Sequence, residues 1–337
     1  MSAQSITGIA NQFGVRVSTQ KKIREGIYRI VTPNGITYSL KRMRKRRERL
    51  RWIDRTLLRV RRRGILLAWR NPQKPEGQKS YAITQKGEFF ILTPWIAGRE
   101  PSPRSLADMR ACGVALARFH KAGRTGVKGS IAYSEIGTWY STLRSRHHYI
   151  LKKIAKANRN GFSLPINRIL KQHGSEILRY SNQAKALLQS SGYRSYRRNP
   201  RKNGVLCHGD GGPSNFIINA KGTYLIDFET LHIDLRAYDL YRVIYNSCKD
   251  YKWNFAIAKA ILDGYRQVIK LHKNDYKLIR VWLRFPFTSW LVLTPFKRFP
   301  LTKKWLQWAL ASERRVGLFL QKLDKYAAKH SSNIARQ

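Results

Sequence analysis

Apolar residues along this chain follow two periods, and the change from one to the other predicts its elements. Between residues 24 and 42 they alternate. Ile27-Tyr28-Arg29-Ile30-Val31 and Ile36-Thr37-Tyr38-Ser39-Leu40-Lys41 read as two strands joined by Pro33-Asn34-Gly35, a strong hairpin turn. From 46 to 63 the spacing becomes three and four, and Leu50, Ile53, Leu57 and Val60 form the inward stripe of a helix. Alternation returns in Tyr81-Ala82-Ile83-Thr84 and Phe89-Phe90-Ile91-Leu92-Thr93, on either side of a turn at Gln85-Lys86-Gly87-Glu88.

After that the helical period dominates. A capped helix is predicted over Ser105 to Lys121, with Leu106, Met109, Val114, Leu116 and Phe119 on it. Residues 130 to 200 read as helical and strongly basic, with a mobile loop expected at Arg194 to Lys202. Residues 254 to 330 read as amphipathic helices carrying Trp282, Trp290, Trp305 and Trp308. One late stretch returns to strands: Phe216-Ile217-Ile218 and Tyr224-Leu225-Ile226 flank Asn219-Ala220-Lys221-Gly222, a hairpin with glycine supplying the positive φ. Strands early and helices late make an α+β chain.

Charge sharpens this picture. The chain has 337 residues, 66 of them Lys or Arg against 19 Asp or Glu, a formal net charge of +47, while its 42% hydrophobic content suffices for a real core. It is no disordered polycation, yet self-repulsion on this scale calls for an anionic environment. Thirteen basic residues fall between 41 and 63 against two acids, Glu48 and Asp54. Arg46, Arg47, Arg49, Arg51, Arg55, Arg59 and Arg61 to Arg63 surround the exposed part of that helix and suggest a polyanion contact. Cys112, Cys207 and Cys248 have neither disulfide-framework nor zinc spacing. The N-terminal MSAQSITGIANQF lacks a signal-peptide pattern, so synthesis in the cytoplasm is expected, and the longest apolar stretch, Phe285 to Phe296, is too short and proline-broken to span a membrane.

Against that background residues 210 to 239 stand out, with five acids (Asp210, Asp227, Glu229, Asp234, Asp239) and only two bases, a net of −3. His208-x-Asp210 is followed by Asn215, and Asp227-Phe228 closes an apolar run. The predicted hairpin would bring Asn215 beside Asp227. Two carboxylates and an amide oxygen are what Mg²⁺ takes from protein when phosphates and water supply the remaining ligands. Phosphoryl transfer needs the same parts: an Asp to accept the hydroxyl proton, an Asn and an Asp for metal, and a Lys on the nucleotide phosphates. A plainer reading makes residues 210–214 an ordinary turn cluster and Asp227 a strand-end cap.

The segment Val205 to Glu229 resembles the catalytic and metal-binding stretch of the aminoglycoside phosphotransferase and choline kinase superfamily, and the chain from about Lys22 to Tyr265 most resembles the CotS-type spore coat proteins within it. Leu116-Ala117-Arg118-Phe119-His120 is similar to a helix of that superfamily. The resemblance implies a bilobal protein kinase-like fold, with residues 1–98 as a nucleotide-binding lobe and 99–337 as a mainly helical lobe holding the catalytic loop, metal site and acceptor region. It implies ATP and Mg²⁺ as cofactors. Asp210 would be the base and His208 the holder of its loop, with Asn215 and Asp227 as metal ligands. Lys41 would clamp the phosphates, Asp54 would be its ionic partner on the helix, and Thr93, Trp95 and Ile96 would lie where the nucleotide base binds. Asp239 would brace the catalytic loop. No G-x-G-x-x-G precedes Lys41; Gly26 stands alone.

Two functions follow. The first is transfer of the γ-phosphoryl group of ATP to a hydroxyl acceptor, with spore coat association implied by the resemblance; a field of +47 argues against a cationic aminoglycoside as acceptor. The second is a weak or inactive kinase-fold structural protein of the coat that holds polyanions. Nucleic acid is a less favoured partner.

Overall fold

The computed structural model describes residues 3–69, 80–124, 133–160, 165–294 and 302–331. The chain divides into two compact units, Met1–Pro101 with Ser214–Leu231, and Ser102–Pro213 with His232–Gln337.

The first unit opens with α1 (Ala3–Asn11), β1 (Thr19–Arg24), β2 (Ile27–Val31), β3 (Thr37–Met43) and α2 (Arg47–Arg61), followed by β4 (Ala82–Ile83) and β5 (Phe89–Pro94). The strands form one antiparallel sheet in the order β1-β2-β3-β5-β4. The predicted hairpin pairs Val31 with Thr37 and Ile27 with Lys41, and Gly35 takes φ 76° at its turn. On the buried side Ile30, Tyr38, Leu40, Phe90 and Leu92 pack against Ile6, Ile9 and Phe13, so the N-terminal segment completes this core. Leu40 is fully buried, and its truncation to Ala would cost about 2–5 kcal/mol. The stripe Leu50, Ile53, Leu57 and Val60 is buried along α2, which ends where Gly64 adopts φ 75° and donates to Arg61 O.

The second unit begins with α3 (Leu106–Gly123), α4 (Trp139–Arg159), α5 (Pro165–Ser190), α6 (Tyr193–Arg198), α7 (Pro200–Asn203) and β6 (Val205–Cys207). The chain then contributes the hairpin β7 (Phe216–Asn219) and β8 (Gly222–Leu225) to the first unit. It returns with β9 (His232–Asp234), paired to β6, and finishes with α8 (Arg236–Cys248), α9 (Phe255–Arg266), α10 (Lys273–Arg284), α11 (Phe287–Leu293) and α12 (Lys303–His330). Ser105 caps α3 by accepting the Asp108 N–H at 3.2 Å. Met109, Leu116 and Phe119 are buried, whereas Leu106, at the first turn, is 45% exposed. α3 crosses α9 at closest approach: a Cβ on Gly113 would sit 2.1 Å from Ile261 O, and one on Gly264 2.0 Å from Arg110 O.

The loop expected at Arg194 to Lys202 is instead two short helices. Gly192, at φ 75°, turns the chain into α6, whose Tyr193 is fully buried. The Asn199 side chain accepts the Lys202 N–H at 3.1 Å to cap α7, which Pro200 opens. Anchoring by one aromatic and a cap overrides the repulsion of the basic run. No helix among the described residues is long and apolar enough to cross a membrane; Pro295 and Phe296 of the apolar stretch lie outside the described residues.

Candidate active site

Lys41 is placed by the alternation of β3. Its alternates Tyr38 and Leu40 face the core, while Lys41 pairs across the sheet with Ile27 and Ile91 and lines a cavity of about 400 Å³ in the first unit. Ile23, Ile27, Ile91, Ile217 and Ile226 give that cavity an apolar wall; Ser39, Asn215, Asp227 and Glu229 give it polar groups. This mixture and size suit a small ligand with a flat apolar part and a charged part.

The hairpin β7–β8 brings the other half of the site to Lys41. Its register pairs Phe216 with Leu225, and the Ile226 N–H donates to Asn215 O at 3.1 Å, so the two ends meet as the turn predicts. The hairpin is fastened by reciprocal backbone bonds between Ile218 and Arg99 (2.8 and 3.1 Å) and by Asn219 Nδ2 donating to Ala97 O at 2.8 Å. Asp227 then takes φ 63°, the left-handed region that few residues other than glycine adopt. Strain of this kind is held at functional sites. The Asp227 carboxylate forms an ion pair with Lys41, and Glu229 Oε2 lies 3.0 Å from the same ammonium. Arg24, at the end of β1, reaches Asp227 Oδ2 at 3.7 Å. The hairpin β1–β2 turns at Gly26, whose φ is 73°, and so lays Ile23, Arg24 and Ile27 on the cavity without a glycine-rich loop.

The sequence expectation of Asp54 as the partner of Lys41 needs correction. Asp54 is buried on α2 and accepts the Trp69 indole N–H at 3.0 Å, while the carboxylates on Lys41 are Asp227 and Glu229. Asp54 sits on the same helical face as Leu50 and Leu57, so it is turned into the core, where the Trp69 indole is one of its partners. Thr93, Trp95 and Ile96 all line the cavity. The Trp95 N–H is bonded to Thr37 O at 3.0 Å, so the sheet already takes that donor.

His208 and Asp210 belong to the second unit, directly after β6. Asp239, on α8, accepts the His208 N–H at 2.6 Å and the Gly209 N–H at 2.8 Å, and its Oδ2 also pairs with His120 Nε2 at 3.0 Å. The other ring nitrogen of His120 lies 2.8 Å from Tyr265 Oη. Burial would raise the Asp239 pKa, but the His120 bond, the His120 and His208 rings and the Gly209 amide more than offset it and hold it below the ordinary carboxylate range. Cys207 lies within 4.8 Å of His120 and Asp239, yet both Asp239 oxygens are already occupied by these donors, so the cluster is a brace for the loop. Gly211 and Gly212 let the loop lie on α8: a Cβ on Gly211 would be 2.4 Å from Val243 Cγ2. The Asp210 carboxylate is half exposed and accepts from Arg242 Nη2 at 2.5 Å.

Glu229, Arg24 and Arg242 were not given roles by sequence reasoning. Glu229 had a signal, its place in the acidic island; the two arginines were hidden among 66 basic residues.

A five-stranded antiparallel sheet unit with a lysine–aspartate pair, joined to a mostly helical unit carrying a braced His-Gly-Asp loop, is a kinase-like fold. The chain matches the phosphotransferase enzyme family over residues 25–272 and belongs to it. Among solved structures it is similar to an aminoglycoside phosphotransferase from Alicyclobacillus acidocaldarius, with 18% identity, TM-score 0.76, and 98% and 97% of the two chains covered. A spectinomycin phosphotransferase in complex with ADP and spectinomycin aligns at 15% identity, TM-score 0.61, over 96% and 99%. A choline/ethanolamine kinase family protein from Mesorhizobium loti aligns at 12% identity, TM-score 0.56, over 92% of each chain. No curated protein matches the chain.

Proposed function

We propose that this protein transfers the γ-phosphoryl group of ATP to a hydroxyl acceptor. The observation that carries the reading is the Lys41–Asp227 ion pair, set in a cavity with an apolar wall and built from a strained aspartate. Thr93, Trp95 and Ile96 take the base, and Lys41 takes the phosphates. Asn215 and Asp227 offer the hard oxygen donors that suit Mg²⁺, which when bound would shield the charge of the triphosphate. Asp210, five residues before Asn215 in the chain, accepts the hydroxyl proton, and His208 and Asp239 fix its loop. Solved relatives carrying ADP, or AMP-PNP with Ca²⁺, support a nucleotide and a divalent ion at this site. The test is thermal unfolding with and without MgATP, together with ATP turnover. A ligand bound only by the folded state stabilises it by mass action, by about 2.7 kcal/mol at a hundredfold excess over Kd, and so raises the melting point. The absence of both a thermal shift and turnover would sink the reading.

A second reading, retention of polyanions, is favoured by one feature. Arg47, Arg51, Arg55 and Arg59 recur every fourth residue along α2 and are all exposed, forming a continuous cationic ridge that winds along the helix. Replacing all four by Gln should flatten the salt dependence of heparin binding; an unchanged slope would remove the ridge from that role. A place in the spore coat rests on the sequence resemblance alone, and is tested by fractionating spores of the source strain.

A further inference from the structure

In the second unit the Asp210 carboxylate shares its surroundings with two arginines and a set of aromatic rings. Arg242 donates to Asp210, and its guanidinium carbon lies 5.4 Å from the ring centre of Phe287, at the start of α11. Arg146, from α4, approaches the same ring at 5.3 Å and the Trp290 ring at 4.4 Å, with Trp282 at 5.4 Å. Tyr241 stacks on Trp282 at 5.7 Å and holds this aromatic floor in place. Phe287 and Trp290 keep part of their surface open, while Tyr241 and Trp282 are buried.

The charges here do not balance. Arg242 is paired with the Asp210 carboxylate, whereas Arg146, over the same Phe287 ring, has no ion pair or hydrogen bond among the described residues, only aromatic faces. Burial lowers the pKa of Arg146, and the neighbouring Arg242 pushes the same way, though an arginine stays protonated. Arg242 Nε is also buried without a partner. Cation–π contacts return about 0.5–2 kcal/mol each, and they leave the donors of the half-buried Arg146 without an anionic partner. Ammonium-bearing acceptors would be repelled from such a site. An anion is the missing charge.

We propose that the acceptor carries an anionic group, a phosphate monoester or a carboxylate, which Arg146 and Arg242 receive while its carbon skeleton lies on Phe287 and Trp290 and a hydroxyl meets Asp210. This rests on the phosphotransferase reading for the role of Asp210. Guanidinium presents paired donors that match both anions. As the hydroxyl oxygen forms its bond to the γ-phosphorus, its proton passes to Asp210, the bond to the bridging oxygen breaks, and ADP leaves with that electron pair. Acceptor binding also competes with Asp210 for Arg242, so arrival of the anion draws Arg242 away from the base.

The test uses one sugar scaffold in four charge states: glucose 6-phosphate, gluconate, glucose and glucosamine, titrated calorimetrically into the full-length protein with MgADP present. The two anions should bind at least about tenfold more tightly than glucose or glucosamine, the increment of a charge-assisted hydrogen bond, and the gap between them separates phosphate from carboxylate recognition. Arg146→Gln should erase that preference and leave MgADP affinity unchanged; Arg146→Lys should keep part of it. Glucosamine binding as tightly as the anions, or a preference that survives in Arg146→Gln, overturns the proposal. Absence of MgADP binding by the wild type would instead sink the phosphotransferase reading, so the two failures are told apart.

Discussion

Lys41 on β3 and Asp227, 186 positions further along the chain, form an ion pair, and Glu229 shares the same ammonium at 3.0 Å. Lys41 is 14% exposed, Asp227 24% and Glu229 40%, so the pair sits at a cavity wall rather than in the core. A pair so placed is only partly screened by water and can exchange partners when a ligand enters. A triphosphate would take Lys41 and leave Asp227 to a cation.

Replacing Lys41 by Met should lower ATP turnover by at least about a hundredfold, the usual loss when a charge-stabilising group is removed. It should also abolish the MgATP-induced rise in melting temperature. A variant that keeps both would remove Lys41 from the nucleotide site.

Asp210→Asn separates chemistry from binding. The amide can still accept from Arg242, so the loop should keep its shape and the circular dichroism spectrum should not change. Phosphate transfer should fall by about 10²–10⁴ while the MgATP thermal shift persists. Wild-type turnover in this variant would exclude Asp210 as the base.

Gly113→Ala tests the α3–α9 crossing. The added methyl would lie 2.1 Å from Ile261 O and 2.9 Å from Tyr265 N, both backbone atoms that cannot swing aside. The helices must separate, at a cost of about 2–3 kcal/mol, read as a lower melting temperature. A melting temperature equal to wild type would mean that the crossing is looser than described.

Glu313 should give stability a pH dependence. Burial raises its pKa from 4.5 to about 7, although the Ser289 N–H (2.8 Å) and hydroxyl (2.7 Å) favour the ionised form. The unfolded chain loses this proton near 4.5 and the folded protein near 7, so between them the folded state binds more protons. This contribution is fully present below pH 4.5, declines as pH rises to about 7, and is flat above. Glu313→Gln should therefore gain stability over the wild type progressively from about pH 4.5 to about pH 7; parallel stability curves for the two proteins would contradict this.

How far the site could be read from the chain depended on locality. Lys41 was marked by its place at the end of an alternating strand, and Asn215 and Asp227 by the two ends of a tight hairpin, since a short turn fixes which residues meet. Asp54 was misplaced because position on a helical face says which way a side chain points but not which donor waits there, and Trp69 was that donor. Arg146, Arg242 and Phe287 come from three helices and converge only after packing, and nothing in the local sequence marks these two arginines among 66 basic residues.

By itself the sequence determined the α+β character, the principal hairpins, the amphipathic faces and the acidic island at 210–239, because these rest on periodicity, turn chemistry and composition over neighbouring residues. Only the tertiary structure decided which carboxylates meet Lys41, that 194–202 folds into two short helices, and which arginine pairs with Asp210. Those outcomes follow from long-range packing and from competition among many chemically equivalent side chains, and neither leaves a local trace in the chain.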